Sequence, residues 1–380
     1  MELFLRYYLE HFNDLPRNSL HDRRKRKSMV EYISILIEAC SAGKGNEHDE
    51  IYKYFQAQDY KVPRLNRRGV RDSSTIVQKS CLTGLIEDDS EESCRVAIRV
   101  LLHYHEEMKN TNGTVCLMGK YHNILYVAVK LCYIWQLKDA DTVSALLEQI
   151  YFCEKTFERI LIGALFGHKA PHYIAGWKSD FDSQEENLRA VVYFLDKANK
   201  SFLKLPFICG DENRLYRFID LPIESCGKSS PLKIAVELGL PDKLLIFLRF
   251  GAEVYTHARV DVFEHILKRL SGFNHVYPYN LVSCLQLLLR VVPRIKLNLH
   301  DEYFEDLYTT FRERVFVTYS DLIEDGILPL SSCGLRAPKL KHLCRCIIRQ
   351  RLWVNYQLPD GIRKLCLPES LWRYLDVLED

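Results

Sequence analysis

The sequence lacks the short motifs that mark common catalytic and nucleotide-binding sites. No Gly-x-Gly-x-x-Gly follows a strand-like run, and neither a nucleophile elbow nor a His-Glu-x-x-His occurs. Gly227-Lys228-Ser229 resembles the end of a phosphate loop, but Pro222 occupies the position where such a loop needs glycine. These absences predict a protein that is not an enzyme and that has no catalytic residues and no cofactor.

The sequence also lacks a long apolar run. A helix that spans a bilayer needs about 20 apolar residues, and the longest candidate, residues 124–135, is interrupted by Lys130. The first twelve residues carry Glu2 and Arg6 inside their apolar part and show no small-residue cleavage pattern, which argues against a signal peptide. We therefore expect a cytoplasmic protein without a membrane partner.

The chain also has no large excess of positive or negative charge, because its formal net charge is only +2. Nothing in the global charge favours nucleic acid as a partner. The local exception is the basic run Arg23–Lys27. Such runs can direct a protein to the nucleus or contact phosphates, although we favour a solvated start of the following helix. A nuclear location and contact with nucleic acid stay open as hypotheses.

The chain has 13 cysteines but no Cys-x-x-Cys pair. An odd number of cysteines without a Cys-x-x-Cys pair favours reduced, mostly buried thiols over a disulfide framework. A zinc site needs four convergent ligands, which usually come from close pairs. His103 and His105 form the one tight histidine pair, which supplies only two. The sequence therefore predicts no metal site.

The most regular internal stretch reads as two short helices and two glycine turns. Ser230 can cap the first helix and Pro231 can begin it. Ala235 is small enough for a second helix to approach closely. Gly239 and Gly251 suit a tight turn and a left-handed helix end. This pattern resembles an ankyrin repeat.

One such unit cannot bury its own faces, and about three are normally needed. Small residues recur at Ala128, Ala164 and Ala235, each near the start of an apolar helical pattern. We therefore predict an all-α fold, an ankyrin-type helical repeat solenoid. The predicted domains are an N-terminal helical region with the basic run (1–70), divergent ankyrin-like repeats (71–292, clearest at 229–254), a connector (293–334) and a tail segment (335–380).

The tail segment contains an amphipathic helix that opens near Pro338. Its apolar residues recur at spacings of three and four, so they share one face. We call them the apolar stripe: Leu340, Leu343, Cys344, Ile347 and Ile348. The opposite face is predicted to keep the helix soluble through Lys341, Arg345, Arg349 and Arg351. Few residues follow that could cover the stripe. It must therefore fold back on the body or enter a groove of a partner.

A second motif follows, in which Pro368 begins another short helix. Leu340-x-x-x-Cys344-x-x-x-Ile348 resembles the elongin-binding box of a three-helix SOCS box, and the segment from Leu365 to Leu375 resembles its cullin box. The resemblance implies that the apolar stripe binds elongin C, which pairs with elongin B. It also implies that the second motif selects cullin five, or cullin two, with a RING partner. The implied cullin-binding residues are Leu365, Leu367, Pro368, Leu371, Tyr374 and Leu375.

The tail segment departs from the family pattern at two positions. Lys339 stands where the family usually has Ser, Thr or Pro, and Cys366 replaces the first proline of Leu-Pro-x-Pro. The second departure leaves the choice between the two cullins open.

Ankyrin repeats followed by a SOCS box resemble the ankyrin-repeat and SOCS-box family, of which this chain would be a divergent member. The resemblance implies a substrate-recognition adaptor of an elongin B/C–cullin–RING ubiquitin ligase, whose repeats bind a protein substrate of unknown identity. An alternative hypothesis is a helical-repeat interaction scaffold without a ligase role, in which the tail segment packs on its own chain.

Overall fold

The structure is a computed structural model that describes residues 91–116, 121–167, 183–209, 212–255, 262–297 and 310–380, together with Leu9, Phe12, Ser19, His21 and Phe181. Over these residues it contains thirteen α-helices and a single two-stranded sheet. The predicted predominance of helix is therefore confirmed. Most of the predicted N-terminal region 1–70, including Arg23–Lys27, lies outside the described residues. The chain divides into two compact units, Met1–Lys155 and Thr156–Asp380.

The first unit contains three described helices that contact one another. They are α1 (Glu91–Asn110), α2 (Asn123–Ile134) and α3 (Ala140–Glu154). Helix α2 is apolar nearly all round and is buried along most of its length, as expected for a helix with neighbours on several sides. The Asp139 carboxylate accepts hydrogen bonds from the first turn of α3 and so caps that helix.

The second unit is built mainly from paired helices. Its elements are α4 (Glu158–Phe166), α5 (Gln184–Lys200), β1 (Lys204–Cys209), β2 (Glu212–Arg217), α6 (Pro231–Glu237), α7 (Pro241–Arg249), α8 (Val262–Ser271), α9 (Tyr279–Val291), α10 (Phe311–Glu324), α11 (Leu340–Val354), α12 (Asp360–Arg363) and α13 (Glu369–Leu375). Across the described ranges of both units, no helix combines the length and the apolar character that crossing a membrane requires.

Two of these helix pairs are stacked on each other. Helix α6 packs on α7 and α8 on α9, while α6 also contacts α8 and α7 contacts α9. The first helices of the two pairs, α6 and α8, therefore lie side by side, and so do the second helices, α7 and α9. Helical repeats bury a continuous core in this way.

The local predictions for the clearest repeat are confirmed. The Ser230 hydroxyl accepts a hydrogen bond from the Lys233 N–H at 3.3 Å, and Pro231 is the first residue of α6. Ala235 is fully buried. Gly239 and Gly251 have φ of +64° and +80°, where a side chain would be strained. The assignment of this unit to the ankyrin class stays a prediction.

An antiparallel hairpin, β1–β2, interrupts the helical pattern, and the sequence analysis did not predict it. Leu205 and Phe207 point inward, while Pro206 and Ile208 are exposed. This alternation has the period of a strand. The run is short and contains proline, so its periodicity is a weak signal.

Gly251 lies where the tail segment meets the end of α7. A Cβ at this position would lie 2.7 Å from Trp353 Cδ1 and 2.9 Å from Leu358 Cδ1. Gly251→Ala would add left-handed strain of about 1 kcal/mol and overpacking of about 1–3 kcal/mol. We predict that the variant lowers the free energy of unfolding by about 2–4 kcal/mol in urea denaturation of the full chain.

Gly326→Ala is the matched control for this change. Gly326 also has a left-handed φ of +70°, but a Cβ added there would have no atom within 4 Å. We expect a loss of about 1 kcal/mol, from strain alone. Equal losses for the two variants would contradict the close approach of the tail segment to Gly251.

Candidate functional site in the tail segment

The three helices of the tail segment enclose a small core. Leu352, Leu358, Ile362 and Leu375 are buried in it, and partly buried neighbours pack around them. Helix α11 begins at Leu340, two residues after Pro338, near which the sequence predicted the helix to open. Lys339 is extended and its side chain makes no capping hydrogen bond. The predicted three-helix arrangement is present, with α12 where the sequence showed only turn residues.

Much of the apolar stripe faces solvent. Leu340 is 76% exposed and Ile347 is 60% exposed, and Cys344 between them is exposed as well. Leu343 and Ile348 are half-buried, and Ile348 packs against the core of the tail segment. The described part of the chain therefore does not cover the outer edge of the stripe. Such exposed apolar faces usually mark interaction sites.

The opposite face of α11 corrects the sequence interpretation. Arg345 and Arg349 were expected to face water, yet they are only 4% and 5% exposed. Lys341 and Arg351 are exposed, as expected. The polar face of this helix therefore turns partly inward, while the outer edge of its apolar stripe faces solvent.

Arg349 turns inward because it binds backbone carbonyls at the ends of two other helices. Arg349 donates to Leu375 O at 2.8 Å, at the end of α13, and to Leu248 O in the last turn of α7. The last carbonyls of a helix lack partners within the helix and carry partial negative charge. Burial lowers the pKa of Arg349 to about 10, so the guanidinium stays charged at neutral pH.

Arg345 completes this inward face. It donates to Glu379 O at 3.2 Å, and its guanidinium lies 4.1 Å from the ring centre of Tyr374. Lys341 lies over the same ring at 3.9 Å. Both cations thus lie over one aromatic ring, which fixes the rotation of α11 relative to α13.

Further polar contacts hold the tail segment on the rest of the second unit. Arg249 donates to Asp376 at 2.6 Å, and Arg290 forms a two-pronged ion pair with Asp380 at 2.7 and 2.8 Å. Arg217 donates to Trp353 O at 2.7 Å. These contacts bind charged side chains and backbone carbonyls, so they hold the segment in place without using the exposed edge of the apolar stripe.

The predicted cullin-binding residues occupy different environments. Tyr374 and Leu375 are buried within the chain, and Leu375 belongs to the core of the tail segment. Leu365, Leu367 and Leu371 are half-buried. Of the six, only Pro368 is exposed. Cys366, on the other side of Leu367 in the sequence, is exposed as well. The structure thus brings all six residues into one small region but leaves few of them accessible.

Sequence reasoning missed two features of this site. The inward role of Arg345 and Arg349 has no signal in helical periodicity, because arginine suits both solvent and buried carbonyls. Val354 is 54% exposed on α11, seven residues after Ile347 and so near the same face.

The four residues of the described chain that could hold a metal, His105, Cys116, His122 and Cys153, lie in the first unit.

Comparison with known proteins identifies the tail segment. A family model for the SOCS box matches residues 337–376. No curated protein matches the chain, and no solved structure does. The SOCS box is the module with which adaptors of ubiquitin ligases bind elongin B/C and a cullin–RING component. Proteins that contain it are typically non-catalytic adaptors. The predicted SOCS box is thus confirmed.

Arg349 provides a test of the inward face of α11. Arg349→Ala leaves the Leu375 carbonyl without its donor, whereas Leu248 O keeps its hydrogen bond from the Gly251 N–H at 3.0 Å. One unpaired buried group costs about 1–3 kcal/mol. We predict a loss of about 1–3 kcal/mol in the free energy of unfolding by urea. Arg351→Ala, on the exposed side of the same helix, should stay within about 0.5 kcal/mol of the wild type. Similar stabilities for both variants would show that Arg349 does not hold the helix.

Proposed function

We propose that this chain is a substrate-recognition adaptor of an elongin B/C–cullin–RING ubiquitin ligase. The observation that carries the proposal is the exposed edge of the apolar stripe, Leu340, Cys344 and Ile347, on a helix whose other face is fixed to its own chain. The SOCS-box match to residues 337–376 supports the same conclusion independently of the geometry.

Elongin C would cover the apolar stripe. Burying an exposed leucine or isoleucine side chain contributes about 1.5–3 kcal/mol, so Leu340 and Ile347 are the expected anchors. A few such anchors usually dominate an interface. Leu343 and Ile348, which are half-buried, would form the inner wall of the contact. Because α11 is already held by Arg345 and Arg349, little ordering of the helix would oppose binding.

The second motif would contact the cullin through its accessible residues. Pro368 is exposed and Leu365, Leu367 and Leu371 are half-buried, so these four are the proposed contacts. Tyr374 and Leu375 are buried, and we assign them the role of holding the shape of the segment. Cullin five is the cullin we propose, with cullin two as the alternative because Cys366 replaces the usual proline.

The target would bind upstream of the tail segment, on the stacked helix pairs that we propose to be divergent ankyrin repeats. The mechanism is proximity. A target held on the same chain as the ligase experiences ubiquitin transfer at a raised effective concentration. In this mechanism the adaptor supplies binding surfaces, and the catalytic groups belong to its partners.

Substitutions in the apolar stripe test the contact with elongin C. Leu340→Asp and Ile347→Asp each remove an apolar anchor worth about 1.5–3 kcal/mol, so each should weaken binding at least about tenfold. The measurement is isothermal titration calorimetry of the purified full chain with the elongin B/C complex.

Val317→Asp is the control for these substitutions. Val317 is 72% exposed on α10, so the change has the same chemistry at a similarly exposed helical position outside the tail segment. Its affinity should equal that of the wild type. Urea denaturation of all three variants checks that the fold is intact. Unchanged affinity in the two stripe variants would refute the proposed contact.

The double variant Leu340→Asp, Ile347→Asp also separates target binding from ligase binding. In cells with the proteasome inhibited, wild-type chain should co-purify with elongins, a cullin and ubiquitylated target. The double variant should retain the target, now without ubiquitin, and lose the other components. Mass spectrometry of both samples identifies the target and the cullin. The adaptor role would be contradicted if the wild type co-purified with none of these partners. It would also be contradicted if the double variant still recovered the elongins.

A further inference from the structure

Four side chains of the first unit converge around one point. His105 lies on α1, Cys116 in the loop that follows it, His122 directly before α2 and Cys153 in the last turn of α3. Their four nitrogen and sulfur atoms all lie within 4.8 Å of one another. Both histidines are buried and both cysteines are half-buried and free of disulfides. Within the described part of the chain, these four side chains form the group whose donor atoms lie close enough together to hold one metal ion.

The spacing of these atoms fits a tetrahedral metal centre. With Zn–S of about 2.3 Å and Zn–N of about 2.0–2.1 Å, tetrahedral coordination separates sulfur from nitrogen by about 3.6 Å. His105 Nε2 lies 3.3 Å from Cys116 Sγ and 3.6 Å from Cys153 Sγ. Cys116 Sγ lies 3.7 Å from His122 Nδ1. Three independent separations thus fall near the value that zinc would impose.

The outer nitrogen of each histidine is held by a second residue. His105 Nδ1 lies 3.0 Å from Gln149 Oε1, and His122 Nε2 lies 2.5 Å from Glu154 Oε1. The same carboxylate oxygen accepts a hydrogen bond from the Tyr126 hydroxyl at 2.6 Å. An N–H on the outer nitrogen leaves the inner nitrogen with a free lone pair directed at the centre. Metal-binding histidines are typically held in this way.

We propose that His105, Cys116, His122 and Cys153 bind one Zn²⁺ ion as a structural site. Four protein ligands complete a tetrahedral shell, which leaves no open position of the kind that catalytic zinc needs. Two sulfur and two nitrogen donors in this geometry select zinc among the common divalent ions. Two thiolates would balance the charge of the ion inside a buried environment.

The ion would cross-link the three described helices of the first unit. His105 and Cys153 lie on α1 and α3, while Cys116 and His122 bracket the connection between α1 and α2. A metal-free alternative is that each thiol donates a hydrogen bond to one imidazole. The arrangement favours the metal, because His105 Nε2 and Cys116 Sγ each have two close neighbours in the group, whereas isolated thiol–imidazole pairs would give one each.

Metal analysis of the full chain tests this proposal. Protein purified under reducing conditions without chelator should contain one zinc per chain by inductively coupled plasma mass spectrometry. Replacement by Co²⁺ should give the absorption bands of tetrahedral cobalt with thiolate ligands. Cys116→Ser combined with Cys153→Ser should lose the metal. Cys132→Ala, which removes a fully buried cysteine of the same unit away from the site, should retain it.

A milder variant covers the case in which the double variant does not fold. Gln149→Ala removes only the support of His105, and loss of such support typically lowers metal affinity about 10–100-fold. Competition with a fluorescent zinc chelator measures this change. The proposal is overturned if the wild type binds no zinc as purified and none after addition of ZnCl₂ with reductant. It is also overturned by a native Cys116–Cys153 disulfide, or by equal zinc affinity in the wild type and Gln149→Ala.

Discussion

The hydrogen bonds of Arg349 determine which face of α11 is exposed to solvent. This buried guanidinium joins α11 to the carbonyl ends of α7 and α13, and its burial requires partners because an unpaired charge in the interior is costly. Satisfying it fixes the rotation of α11. Once the arginine face points inward, helical geometry places the outer edge of the apolar stripe toward water. The exposure of Leu340 and Ile347 is thus a consequence of where two arginines find acceptors.

This arrangement differs from an ordinary surface helix, in which the apolar face is buried and the charged face is hydrated. Here the chain satisfies the charged groups itself, through Arg345, Arg349 and the ion pairs of Asp376 and Asp380. A partner that covers the stripe therefore needs to offer only an apolar groove. Hydrogen bonds and ion pairs hold the module on the unit that is proposed to bind the target, which suits a mechanism that depends on proximity.

Local sequence signals predicted the parts that local physics determines. The cap at Ser230, the glycine turns and the spacing of the apolar stripe each follow from neighbouring residues, and the structure contains them. The inward turn of Arg349 depends on a carbonyl about a hundred residues away, at Leu248, and no periodicity encodes such a contact. The hairpin was missed because its alternation is short and includes Pro206. The His–Cys cluster was missed because its four side chains are single residues from separate elements, whereas zinc sites are usually recognised by close pairs.

The reactivity of Cys344 reports directly whether the apolar stripe is open to elongin C, because this thiol lies on the exposed edge of the stripe. Pulse labelling of the full chain with a maleimide, followed by mass spectrometry, measures its accessibility. Cys366 is also exposed but lies outside the stripe, so it serves as an internal reference. We expect Cys344 and Cys366 to label rapidly in the free chain and elongin B/C to protect Cys344 alone. Slow labelling of Cys344 in the free chain, or no protection by elongin B/C, would contradict it.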